Sequence, residues 1–91
     1  MNMKAIVSVL GKDRVGITAA VCTKLAENNI NILDISQTII DGNFSMVMIV
    51  DMDKATCSIK EMSGVLEDLG KEIGQIIRIQ REDIFDAMHR I

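Results

Sequence analysis

The stretch Val9-Leu10-Gly11-Lys12-Asp13-Arg14-Val15-Gly16-Ile17 decides how the chain folds, because an apolar, β-branched run ends in it and an amphipathic run begins. The two glycines and the acid-base pair between those runs make a strand-loop-helix corner. The first N–H groups of a helix have no intrahelical acceptor, so such a corner can host a carboxylate or another small anion. A plain tight turn, with Asp13 capping the helix and Arg14 in solvent, accounts for the same residues. The run is neither the G-x-G-x-x-G of a dinucleotide loop nor a P-loop, which ends in G-K-[S/T].

Outward from the corner, Met3 to Leu10 is short, rich in Ile and Val and bounded by Gly11, which predicts a buried strand. From Gly16 to Asn28 the apolar positions Ile17, Ala20, Val21 and Leu25 recur at spacings of three and four, as a helix with one buried stripe requires. Asn28-Asn29 ends it, since Asn tolerates the left-handed conformation found just past a helix terminus. Ile30 to Ile40 alternates, with a change of apolar phase between Ile32 and Leu33 that predicts a bulge. Asp41-Gly42 is a hairpin signal, and Asn43 to Asp51 forms the returning strand, with Phe44, Met46, Met48 and Val50 on one face and Val47 and Ile49 on the other.

Asp53-Lys54-Ala55-Thr56 is expected to open a second helix, whose stripe is Ile59, Met62, Leu66, Leu69 and Ile73. Gln75 to Gln80 reads as a fourth strand, and Glu82 to Ile91 as a short amphipathic C-terminal helix. The order βαββαβ is that of an α+β ferredoxin-like sandwich: a four-stranded antiparallel sheet with two helices on one face. The other sheet face would then expose apolar side chains of the second and third strands, and a second copy of the chain is the simplest cover.

Ninety-one residues make a single domain over 1–91, the last eleven being the tail. The net charge of −3, with acids and bases interspersed, leaves no basic face for a phosphate backbone, so nucleic acid is not expected as a partner. Neither a signal peptide nor a membrane span is read at the N-terminus, and Cys22 and Cys57, each placed in a helix, lie far apart with no Cys-x-x-Cys motif. The expectation is a cytoplasmic protein with reduced thiols. No metal is expected, because the methionines Met46, Met48 and Met52 lack thiolate partners. No catalytic set is found either: His89 has no triad partners, and the paired acids Glu67-Asp68 and Glu82-Asp83 diverge rather than converge. No cofactor is called for.

The run Val9-x-Gly11-x-Asp13-Arg14-x-Gly16-Ile17 with Val21, the segment Asn29-Ile30-Asn31-Ile32 and the Asp41-Gly42 hairpin resemble the ACT domain family, in particular its small stand-alone and glycine-cleavage-regulator type. The resemblance runs from Met3 to about Gln80. It implies a non-enzymatic regulatory module that binds an amino acid or similar small ligand between the subunits of a homodimer, and that acts on a separate regulated protein. Carried over residue by residue, the implied ligand contacts are Asp13, Gly16, Ile17 and Asn31, with Gly11 shaping the loop. Asn31 is expected to reach the same corner as Asp13. Two other readings compete with this one. In the first, the chain is a structural or interaction module with a vestigial site; in the second, it is a small acyl-phosphate hydrolase on the same fold, for which Arg14 and Asn31 are poor stand-ins.

Overall fold

The computed structural model describes residues 3–83. Six elements follow one another: β1 (Lys4–Lys12), α1 (Ile17–Glu27), β2 (Asn31–Ile40), β3 (Asn43–Asp51), α2 (Ile59–Ile73) and β4 (Gln75–Arg81). The strands pair antiparallel in the order β2-β3-β1-β4. Register explains the core. Val7 stands opposite Met48 and Ile79, and Val9 opposite Met46 and Ile77, so all six side chains share one sheet face. Onto that face pack Ile17, Val21 and Leu25 of α1 and Met62, Leu66 and Leu69 of α2, which gives the ferredoxin-like sandwich expected from the element order. A fully buried side chain such as Met62 or Leu66 contributes roughly 1.5–3 kcal/mol.

Local chemistry sets the joints. Asn29 lies in the left-handed region at φ 58, and the Asn28 amide group donates to the Lys24 carbonyl at 2.9 Å, closing α1 where the Asn pair predicts. Asp41 and Gly42 both have positive φ, 51 and 77, as a two-residue hairpin turn requires. Leu33 is the extra residue of a bulge between Ile32 and Asp34.

The start of α2 differs from the expectation. Residues 53–56 form a turn tied to distant chain, with the Met3 N–H donating to Asp53 Oδ1 at 2.6 Å and the Thr56 N–H to the Asn28 carbonyl at 3.0 Å. The helix begins at Ile59 because Ser58 and Glu61 form a capping box. Cys57 therefore sits in the loop before the helix rather than within it. Burial, and secondly the nearby Glu61 carboxylate, pushes its thiol up, so it stays protonated at neutral pH. Of the expected C-terminal helix Glu82–Ile91, Glu82 and Asp83 are helical, and residues 84–91 lie outside the described residues.

The helix-free face is less apolar than expected. Exposed Leu10, Val47 and Ile76 are interleaved there with Ser8, Ser45 and Arg78. The exposure is instead concentrated on β2, where every residue but Ile32 is exposed, on both faces. Both β2 and β4 are edges, but α2 packs closely over β4 whereas α1 barely touches β2, which leaves β2 uncovered on both faces.

Candidate functional site

β1 runs through Gly11 and Lys12, and the chain then turns over Asp13 to Gly16 into α1. Gly16 occupies the N-cap position with φ 89 and ψ 4, a left-handed conformation that a glycine adopts without strain. It brings no side chain to cap the helix, and the first turn holds no acid. The first helical hydrogen bond runs from the Ala20 N–H to the Gly16 carbonyl at 3.0 Å, so the N–H groups of Ile17, Thr18 and Ala19 lie ahead of the helical ladder. The corner is therefore a set of outward donors at the positive end of a helix, the physical requirement for holding a carboxylate.

Each expected site residue has a definite place. Asp13 does not cap α1. Its backbone N–H donates to the Gly42 carbonyl at 2.8 Å, and its carboxylate is exposed beside the loop. Ile17 is core, 3% exposed, so only its backbone N–H is available to a ligand. Gly11 lies beneath the Gln75 amide, where an added Cβ would come 2.6 Å from Gln75 Oε1.

Asn31 is not at this corner. β1 and β2 run parallel with β3 between them, so the start of β2 lies level with Lys4, at the opposite end of the sheet. Gly11 lies level with Ile39, some 24 Å along β2 from Asn31 at the usual rise per residue. Asn31 instead lines a separate cavity of about 410 Å³ with Ala26, Asn29, Ile30, Asp51 and Lys54. Within one chain the expected pairing of Asn31 with Asp13 is wrong, because a crossover through α1 returns the chain to the end of the sheet from which β1 set out.

Three residues matter here whose distant partners sequence reasoning did not find. Arg14 is exposed, as expected, but it is tied down: its Nη1 donates to the Ile73 carbonyl at 3.0 Å, placing a cation at the negative end of α2. Thr18 Oγ1 donates to Gln37 Oε1 at 3.2 Å, which sets the first turn of α1 above the edge strand β2. Gln75, 6% exposed, is the one buried polar side chain among the described residues, and its Nε2 donates to the Lys12 carbonyl at 2.7 Å. Its signal was present in the sequence: Gln75 shares its phase with Ile77 and Ile79, on the buried face.

No helix among the described residues is long and apolar enough to cross a membrane. Comparison with known proteins agrees with the fold. An ACT domain model matches residues 4–80. A UPF0237 protein of Bifidobacterium longum is 60% identical over 88 residues, which cover 97% of this chain and 98% of that protein. The solved ACT domain protein from Streptococcus pneumoniae superposes with a TM-score of 0.83 at 40% identity, covering 98% of this chain and all of its own. A protein described as a glycine cleavage system transcriptional repressor shares the fold, with a TM-score of 0.77 at 21% identity over 89% of this chain and 46% of its own. With the βαββαβ sheet and the glycine-flanked corner, these matches lead to one conclusion: the chain belongs to the ACT domain family.

Proposed function

We propose that the protein is a non-enzymatic, cytoplasmic regulatory module that binds a small carboxylate ligand, an amino acid foremost, between two copies paired along β2. The observation that carries the reading is the uncapped start of α1 standing over an uncovered edge strand. Ile35, Ile39 and Ile40, 43%, 55% and 66% exposed, form a long apolar edge of the kind that pairs with another strand. A two-fold axis near the middle of β2 would run two such strands antiparallel. Asn31 of the partner subunit then comes opposite Ile40, next to the corner from which Asn31 of the same chain is far removed. The α1 amides would take the ligand carboxylate, Asp13 its ammonium group, and the partner's Asn31 its remaining polar atoms. A ligand bound across the pair regulates only if it favours one subunit arrangement over another.

Titration calorimetry with each of the twenty amino acids is the test. At least one should release heat with the wild type and none with an Asp13→Ala, Asn31→Ala double variant, and sedimentation should show a dimer that Ile35→Lys dissociates. Absence of heat for all twenty, or a wild-type monomer at high concentration, sinks the reading. The alternative, an interaction module with a vestigial ligand site, has one observation in its favour. A groove of about 600 Å³ lies along the outer edge of β4, bordered by Ser63, Glu67 and Lys71 of α2. Loss of partner capture on deleting residues 82–91, with amino-acid response intact, would favour that alternative.

A further inference from the structure

The loop after β1 is held by groups that lie outside it. On the β3 side the tie is the Asp13 N–H to the Gly42 carbonyl. On the β4 side the backbone ladder ends at the Gly11–Gln75 pair, and the Gln75 side chain extends it by one bond, from Nε2 to the Lys12 carbonyl at 2.7 Å. Arg14 adds a second bond, from Nη1 to the Ile73 carbonyl at 3.0 Å. Both of these ties end on residues that flank Gly74, where α2 joins β4.

Glutamine is an unexpected occupant of this niche. Its Oε1 is buried without a donor, a situation that destabilises a fold. A methionine would fill similar space without an orphaned acceptor. What the amide supplies, and methionine lacks, is the donor on the Lys12 carbonyl, one residue before Asp13. The space it occupies exists because residue 11 has no side chain: a Cβ there would meet Gln75 Oε1 at 2.6 Å and the Gly74 carbonyl at 2.9 Å.

We propose that Gln75 is a positioning residue for the β1–α1 loop, acting with Arg14 as a latch that couples the shape of that corner to the α2–β4 turn. Its functional meaning rests on the reading of the corner as the ligand site, but the latch can be tested without any ligand. Val15 at the tip of the loop is fully exposed, so the tip adds no core packing of its own to these ties. Movement of the loop on binding would be transmitted to Gln75, where the groove along β4 begins.

Amide hydrogen exchange followed by NMR on the full chain tests the latch. Gln75→Met should speed exchange of the Asp13 amide by about tenfold while leaving the Leu66 and Leu69 amides unchanged. Arg14→Ala, a surface change that spares the core, should speed the same amide severalfold, and the two together should give less than the product of their separate effects, because the ties act as a unit. An unchanged Asp13 amide in both variants overturns the proposal, as does a uniform rise across all amides, which would mark Gln75 as packing alone. Should Gln75→Met fail to fold, Arg14→Ala and the conservative Arg14→Lys, which should restore most of the protection, decide the matter. If none of the twenty amino acids binds the wild type, the ligand reading fails while the exchange result still judges the latch.

Discussion

At the start of α2 the Ser58 hydroxyl accepts from the Glu61 amide at 3.1 Å, and the Glu61 carboxylate accepts from the Ser58 amide at 3.0 Å. At the start of α1 a left-handed glycine contributes no side chain, and the amides of Ile17, Thr18 and Ala19 open outward. The start of α2 is completed by its own residues, and its acid complements the helix dipole, whereas the start of α1 has neither a side-chain cap nor an acid. The α1 start leaves the same donors to solvent or to an anion. The two helices pack on the same sheet face with comparable buried stripes, so the difference does not come from the needs of the core. It sits at the one loop where the family resemblance places ligand contacts.

Gly16→Ala probes this contrast with the largest expected effect. A Cβ at Gly16 meets nothing within 4 Å, so its cost is purely that of the left-handed backbone, about 1–2 kcal/mol by urea denaturation. The same change at Gly64, in the exposed interior of α2 with open space around it, should instead stabilise by roughly 0.5–1 kcal/mol. Equal effects at the two glycines would break the comparison.

Ser58→Ala comes next, expected to cost about 1 kcal/mol through loss of the cap. A pH signature should accompany it. Hydrogen bonding from the Ser58 backbone N–H, and then from its side chain, holds Glu61 below the ordinary carboxylate range, against a small opposing effect of burial. A carboxyl depressed in the folded state contributes stability above its unfolded value and loses it as pH falls through the folded one. Denaturation midpoints of wild type and Glu61→Gln should therefore converge as the solution is acidified through that window. Parallel curves would mean that the charge of Glu61 adds nothing to the box at neutral pH.

The smallest effect sharpens the comparison most. Ala19→Glu puts an acid in the bare first turn of α1, at an exposed position, and should raise stability by about 0.3–1 kcal/mol. The same carboxylate should weaken any anionic ligand at that corner. Stabilisation together with lost calorimetric heat is the expected pair. Stabilisation with unchanged heat would move the ligand elsewhere.

Much of the fold was legible because its determinants are local. The stripe Met62, Leu66, Leu69, the Asp41-Gly42 turn and the bulge at Leu33 each follow from periodicity or from φ preferences within a few residues. Ser58-x-x-Glu61 was equally legible, but the acid and lysine at Asp53-Lys54 place the expected helix start six residues before Ile59. At the candidate site Gly11, Asp13, Gly16 and Ile17 were legible as one loop. Asn31 was misplaced because its position depends on which strand separates β1 from β2.

The sequence by itself determined the order of the elements, the buried stripes and the glycine-bounded corner, since each depends on residues within one or two turns of one another. The tertiary structure alone decided that Asn31 stands at the far end of the sheet, and that Arg14 reaches Ile73, Thr18 reaches Gln37 and Gln75 reaches Lys12. Those contacts join residues far apart in the chain, and strand order and register bring them together. A side chain's own chemistry says what it can bond to; which partner comes within reach is settled by the packing of the whole sheet.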